Sequence, residues 1–597
     1  MLNNQTELTK EDFSDADLQI LLDKSKNKVC NEYSTILFMK CEDEIDEKAK
    51  EFYGLMGMIT SFYLDLEKPD NPFGPMYLSS QEHYRTADVC DINDSYLRFL
   101  SEIYLDMTDD EIKSRIADVL WVKKKDYNAG INAIQSYLNS SIILEKNWLL
   151  CFNRIKRALQ ISAYLGRKNG EFEKVIKHIE YLLKKINGED HSFFSYKLML
   201  LLLKQKAGEP NCFVELAEKC AIRAEAENFF NVAKSYWEIQ SKWYSILKDE
   251  EKKRLALINS AECLVKEAEK AIKDNKPYLG VCGYMGRAIM LYIKIPNTKD
   301  RKEELQGLLI GYQKKIALEM KTISSNIDIL KYIEESKQKV KGLQIYDALF
   351  TLAIMNSPSK PENLKITAEI LMKENPFSHL CESIIINDNG RTIGKIPSIM
   401  TDEDSQKELA IKSKMYECAR FEQNINTQAI IIPAIEQILL EHHITKEDFY
   451  PLVFNNPCIP EGREMIFIEG LHAGIHKDFL ISTHLLIPQL ENSVREIIYN
   501  SGGVASGFDK LGIQDEQNLN KLLFREDVIQ YFGENIAFDL QGLLVERSGS
   551  NLRNISAHGL CDHDSFYSFD NIYLWWLVLR ICFIPILNNL HNEDGSF

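Results

Sequence analysis

The stretch Gly170-Glu-Phe172-Glu-Lys-Val175-Ile176-Lys-His-Ile179-Glu-Tyr-Leu182-Leu183-Lys-Lys-Ile186-Asn187-Gly188 decides the fold. Its apolar residues recur every three or four positions, which places them on one face of a helix. Gly166-Arg-Lys-Asn-Gly170 breaks the chain before it and Asn187-Gly188 ends it. The same spacing recurs over 127–140, 145–165, 192–206, 211–225, 227–247, 251–274 and 301–325, with short breaks such as Gly208-Glu-Pro210 between. A helix of this kind cannot bury its apolar stripe alone and must stack on a neighbour. The text therefore predicts an all-α protein built as an α-solenoid-like array. No strict repeat signature is present, and an irregular all-helical domain is the simpler alternative.

Outward from the array, four segments are expected. Residues 1–92 form an acidic helical region, closed by the proline-rich loop Glu67-Lys-Pro-Asp-Asn-Pro-Phe-Gly-Pro75. Residues 93–375 form the array, and 376–462 a connector of hairpin and helix. The β-branched run Ser383-Ile-Ile-Ile-Asn-Asp-Asn-Gly390-Arg-Thr-Ile-Gly-Lys-Ile396 carries Asn389-Gly390 at its centre, a hairpin signal. Residues 463–597 form a last helical unit.

Composition sets limits on function. The 597 residues are 45% hydrophobic and 27% charged, which suits a globular chain with a large core and excludes disordered, collagen-like and coiled-coil proteins. The net charge of −17 speaks against coating nucleic acid through bulk charge. The charge is segregated, however. Residues 1–119 carry 12 Lys+Arg against 26 Asp+Glu, 120–187 carry 13 against 5, and 464–597 carry 8 against 18. A polyanion such as RNA thus has one electrostatic address, on which Lys123, Lys124, Lys125, Arg154 and Arg157 are the candidate contacts. A solvated face that balances the acidic N-terminal region would look the same in sequence.

Thirteen cysteines without a Cys-x-x-Cys pair predict reduced thiols and a cytoplasmic protein. The start of the chain has neither a basic nor an apolar leader. The apolar run Ile572–Ile584 is interrupted by Arg580 and followed by Pro585, so a buried core helix is expected there and no membrane partner.

Most catalytic signatures are missing. Gly502-Gly-Val-Ala-Ser-Gly507 begins like a phosphate-binding loop, but Phe508-Asp509 stand where Lys-Ser/Thr are required, so a glycine-rich loop between helices is expected. His472 and His476 share a helical face near Glu469 and Asp478, yet Ala473 occupies the position of a zincin's glutamate, and no metal site or cofactor is expected. The informative stretch is Gly549-Ser-Asn-Leu-Arg553-Asn554-Ile-Ser-Ala-His558-Gly559. It offers an arginine, a neighbouring amide and a histidine. Metal-free RNA cleavage needs a base for the 2′-hydroxyl proton and an acid for the departing 5′-oxygen, and histidine serves either role near neutrality. A guanidinium fork suits the extra charge of the pentacoordinate phosphorane.

Arg553-x4-His558 with Asn554 after the arginine resembles the ribonuclease motif of the HEPN superfamily (higher eukaryotes and prokaryotes nucleotide-binding domains). Together with Pro488-Gln-Leu-Glu491-Asn-Ser-Val-Arg495 upstream, the region from about 450 to 597 is similar to a bacterial domain family of uncharacterised function placed in that superfamily. The resemblance implies a C-terminal HEPN-type helical bundle and a two-fold homodimer whose cleft collects both motifs. Arg553, His558 and Asn554 would be catalytic, Asn554 orienting His558 or a phosphate oxygen, and Glu491 and Arg495 would line the cleft or form an ordinary intrahelical ion pair. It further implies cleavage of RNA to 2′,3′-cyclic phosphate and 5′-hydroxyl ends. The setting would be a toxin or abortive-infection antiviral defence, with the array responding to a protein or phage-derived trigger. Some members of the superfamily are instead non-catalytic dimerisation or nucleotide-binding scaffolds, and that is the alternative here.

Overall fold

The computed structural model describes residues 7–79, 84–143, 147–190, 193–320, 327–375, 379–387, 389–401, 403–508 and 511–593. The protein is all-α, and its chain divides into two compact units, Met1–Gln313 and Lys314–Phe597.

The first unit is the array. Helices Asp110–Lys124, Tyr127–Ile143, Trp148–Leu165, Gly170–Ile186, Phe194–Gln205, Pro210–Ala226, Phe230–Leu247, Glu250–Lys273 and Tyr278–Ile293 follow one another with short connections. Most successive helices pack together, as the spacing of the apolar residues requires, while Phe194–Gln205 packs on Trp148–Leu165, Gly170–Ile186 and Phe230–Leu247. In the helix Gly170–Ile186, Phe172, Val175, Ile176, Ile179, Leu182 and Leu183 are all buried. Asn169 caps its start by accepting from the Glu171 amide, and Asn187, in the left-handed conformation, ends it. Tyr278–Ile293 lies between the expected segments 251–274 and 301–325; the latter extends beyond the described residues after 320.

The division of the chain differs from the four-segment expectation because the cores cross those limits. One contiguous core runs from Leu8 to Cys263, so the acidic N-terminal region shares its interior with the array. Val340, Ala348, Leu349, Leu352 and Ala353, expected in the array, are buried instead with residues 431–584 in the second unit. The proline-rich segment after Glu67 is not a free tether either. Gln160 Nε2 donates to the Leu66 carbonyl at 2.7 Å and Arg157 Nη1 to that of Pro69 at 2.8 Å, so the segment lies pinned along the helix Trp148–Leu165.

The expected hairpin is present as Ser383–Ile386 paired antiparallel with Thr392–Ile396, and Gly390 adopts the positive φ of its turn. Three further two-stranded ladders, Tyr63–Leu64 with Phe73–Gly74, Leu78–Ser79 with Tyr84–Arg85, and Ser506–Phe508 with Gln514–Glu516, were not expected. The last begins at Ser506, at the end of the loop read at Gly502–Gly507, which is otherwise a loop.

The second unit is a helical bundle organised around Phe569–Glu593. This helix is long and apolar enough to span a membrane by length and composition, but 67% of its apolar window is buried inside the protein. Trp575 Nε1 donates to the Leu471 carbonyl at 3.0 Å, Trp576 Nε1 to that of Leu352 at 2.8 Å, and Tyr573 Oη to the buried Asp539 carboxylate at 2.7 Å. Arg580, which interrupts the apolar run, donates to the carbonyls of Ala353 and Asn356. The helix is a core helix.

Candidate active site

The residues singled out in the C-terminal unit are carried by two helices. Glu491 and Arg495 lie on Phe479–Asn500, and Arg553 and Asn554 on the six-residue helix Leu552–Ala557. The approach to the short helix is tightly built. Gly549 lies against the Gly542 carbonyl so closely that a Cβ would fall 2.1 Å from that oxygen. The Ser550 amide donates to the same carbonyl at 2.9 Å, and Ser550 Oγ donates to Asp570 Oδ1 at 2.7 Å. Asp570 is itself held by both nitrogens of a bidentate Arg420 contact, at 3.0 and 2.8 Å. Asn551 then turns the chain with a φ of 51°.

The far end of the short helix is closed by paired backbone bonds. The Gly559 amide donates to the Ser556 carbonyl at 3.0 Å and the Leu560 amide to that of Ile555 at 2.9 Å, with Gly559 at a φ of 62°. This is the Schellman arrangement that Gly favours after a helix. His558 is therefore the C-cap, and its side chain is exposed at the helix end. Among the described residues its ring has no hydrogen-bond partner.

Glu491 is the centre of the polar cluster. Its Oε2 accepts from Arg553 Nε at 3.2 Å and its Oε1 from Arg495 Nη2 at 2.6 Å, while the residue is only 9% exposed. Glu491 and Arg495 thus form the intrahelical ion pair, and Glu491 also reaches the motif arginine. The two guanidinium groups share the Glu491 carboxylate, and Glu516 supplies a second one, so the cluster carries no formal net charge. Arg495 Nη2 also donates to the Gln517 carbonyl at 3.3 Å, and its Nε lies 3.5 Å from Glu516 Oε2. Arg553 Nη1 donates to Asn554 Oδ1 at 3.1 Å, and Asn554 Nδ2 donates to Asn551 Oδ1 at 2.6 Å. Asn554 therefore orients the arginine rather than the histidine. Arg553 Nη2 makes no hydrogen bond among the described residues, so that edge of the fork is available to a phosphate oxygen.

The basic residues of the array are placed differently from the expectation. Arg154 is 4% exposed and Arg157 1% exposed, because each closes a buried ion pair between helices. Arg154 Nε donates to Glu111 Oε2 at 2.9 Å, and Arg157 Nε and Nη2 both donate to Asp118 at 2.8 Å. Burial pushes the Glu111 carboxyl up, but the Arg154 guanidinium, its hydrogen bonds and Ser140 outweigh burial and hold it at about 2. Arg154 and Arg157 are structural and are withdrawn as RNA contacts. Lys124 Nζ donates to the Leu97 carbonyl and to Ser101 Oγ, and Lys125 lies 5.5 Å from the Trp121 ring centroid as a helix C-cap. Lys123 is exposed and makes no such contact among the described residues.

His472 and His476 face each other with ring centroids 4.6 Å apart. His476 Nε2 meets the Ile444 carbonyl at 3.0 Å, and Asp478 accepts from the Ile481 amide as an N-cap. Burial, with the neighbouring His476, lowers the His472 pKa. Among the described residues no group of three or more His, Cys, Asp or Glu is arranged to hold a metal.

The residues that position the motif, Ser550, Asp570 and Arg420, were missed in sequence. Only Gly549-Ser550 lies beside the motif, while Arg420 and Asp570 are brought there by the fold. Residues 3–174 match the family model of a domain of unknown function (DUF7380), a segment that excludes the cluster around Glu491. No curated protein matches the chain. A solved circular tandem repeat protein with novel repeat topology and enhanced subunit contact surfaces is 10% identical over 98% of this chain and 100% of its own. Its TM-score of 0.15 carries no weight for fold or function.

Proposed function

We propose that the C-terminal unit is a metal-independent endoribonuclease of the HEPN type, acting as a two-fold homodimer in a toxin or abortive-infection type of defence with the array as its regulator. The observation that carries this reading is that one short helix carries both a guanidinium at Arg553, held by Glu491 and Asn554, and at its C-cap an exposed imidazole at His558 that has no hydrogen-bond partner among the described residues. One histidine takes the proton of the ribose 2′-hydroxyl. The 2′-oxygen attacks phosphorus, the bond from phosphorus to the 5′-oxygen breaks, and a second histidine protonates the departing oxygen. Arg553 Nη2 stabilises the phosphorane charge. The products are a 2′,3′-cyclic phosphate and a 5′-hydroxyl. Two histidines are needed and each chain supplies one, which is why the reading includes a dimer.

The competing reading, a non-catalytic scaffold, draws on the ion pair between Arg553 and Glu491, which by itself is a structural contact. Incubating the protein with total cellular RNA, with and without EDTA, separates the two. Cleavage is expected to be insensitive to the chelator and to fall about a hundredfold or more in His558→Ala and in Arg553→Ala, with the fold retained. Cleavage that persists in His558→Ala would give the scaffold reading precedence.

A further inference from the structure

A second site lies in the first unit. The helices Trp148–Leu165 and Phe194–Gln205 and the segment from Tyr63 to Glu67 enclose a groove of about 470 Å³. That volume lies within the ordinary range for small-molecule sites, roughly 300–1,000 Å³. On the second helix, Lys197, Leu200, Leu201 and Lys204 are spaced three, four and seven apart, so they share one face with lysines at its two ends. On the first helix, Trp148, Phe152 and Lys156 are spaced four apart and share a face in the same way. The floor is thus apolar and aromatic, and the rim carries three ammonium groups.

One end of the groove is already occupied by an anion of the chain itself. Lys156 Nζ lies 2.5 Å from Glu67 Oε1, and the Glu67 side chain is 85% exposed. Its hydrogen bond and charge contact with Lys156, and more weakly the charge of Lys204, hold the Glu67 carboxyl below its usual range. Lys197 and Lys204 have no ion pair among the described residues. The other carboxylate in the lining, Asp65, lies 3.3 Å from Lys68. An exposed ion pair of this kind contributes little stability, so the Glu67 carboxylate is a displaceable occupant.

We infer that this groove binds a phosphorylated nucleoside, with the base against Trp148 and Phe152 and the phosphate on Lys156 and Lys204 in place of Glu67. Aromatic rings beside lysines suit this ligand because each base has a stacking face and each phosphate a full charge. An acidic peptide would use the lysines but leave the aromatic floor without a flat partner. The phosphorylated nucleoside has two possible sources, a free nucleotide or a single-stranded RNA. The inference does not depend on the chemistry proposed for Arg553 and His558.

The test uses the full chain carrying His558→Ala, so that RNA is not consumed. ATP binding is measured by titration calorimetry, a fluorescein-labelled oligouridylate by anisotropy, and a glutamate-rich peptide serves as the acidic control. Saturable binding of ATP alone assigns a free nucleotide, and of the oligouridylate a strand of RNA. In either case Lys156→Ala/Lys204→Ala is expected to weaken binding about tenfold or more, and Trp148→Leu about tenfold. Glu67→Gln, at a side chain that is mostly exposed, is expected to keep the fold and to tighten binding severalfold. Circular dichroism melting of each variant separates lost binding from lost fold. The inference is overturned if neither probe saturates, if the folded lysine variant binds as the parent does, or if the acidic peptide binds as tightly as ATP.

Discussion

At the scale of single residues, Glu491 governs the candidate active site. Its carboxylate is shared by Arg495 and Arg553, so replacing it leaves two partly buried guanidinium groups repelling one another. Glu491→Gln is expected to destabilise the C-terminal unit by about 1–3 kcal/mol, as removal of charged hydrogen bonds does, and to lower cleavage as well. Denaturant unfolding and an RNA-cleavage assay read the two effects separately. In the array, Glu111 and Arg154 are spent on stability. Removing one partner of a buried pair costs about 3–5 kcal/mol, which is the loss expected for Arg154→Met in urea unfolding. The pH dependence has a definite sign. The Glu111 carboxyl sits near 2 when folded and near an ordinary ~4.3 when unfolded, so its contribution is complete above about pH 4.3 and is lost as pH falls toward 2. Glu111→Gln should flatten the parent's acid-induced loss of stability across that window. An unchanged slope would exclude Glu111 as its source.

At the scale of elements, the short helix Leu552–Ala557 is too brief to be stable on its own, and its two ends hold it in place. At the entry, Gly549 meets the Gly542 carbonyl at a distance that admits no side chain. Gly549→Ala should cost about 3 kcal/mol through overpacking against backbone. The cleavage expected of the parent should fall with it, because Arg553 and His558 move with this helix. Its thermal melting should shift more than that of a Ser550→Ala variant, which loses only the hydrogen bond to Asp570. The hairpin signal Asn389-Gly390 was legible because turn chemistry is local. The ladder between Ser506 and Glu516 was not, since its strands carry no β-branched alternation and glycines dominate the approach.

At the scale of the whole molecule, the distribution of charge matters more than the net −17. The segment 120–187 carries 13 basic residues, but Arg154 and Arg157 have their charge neutralised inside the core. In the groove, polyanion binding would rest on Lys156, Lys197 and Lys204. If three lysines of the groove contact phosphate, the logarithm of the RNA affinity should fall with the logarithm of salt with a slope of about −2, by the rule of ~0.7 per contact on a single strand. A much steeper slope would require a larger basic surface elsewhere. The proposed dimer can be tested through concentration. Specific cleavage activity should rise with protein concentration and level off once dimers dominate, as sedimentation on the same samples should show. Activity independent of concentration in a strictly monomeric sample would remove the dimer from the mechanism.

Local periodicity determined the helices of this protein, since three- and four-residue spacing of apolar side chains records which face each helix must bury. Arg553, Asn554 and His558 were marked by the resemblance of their motif, legible because they are neighbours along the chain. What these residues touch was decided in three dimensions. Burial, not residue type, turned Arg154 and Arg157 from an RNA-facing patch into ion pairs. Distant segments brought Arg420 and Asp570 to the loop before the motif and placed Glu491 between two arginines. Lys156 lies between Arg154 and Arg157 in sequence, yet it points into a groove beside Trp148 and Lys204. In sequence the three are equivalent basic positions; only the packing of helix on helix separates the one that pairs with an exposed carboxylate from the two that pair with buried ones.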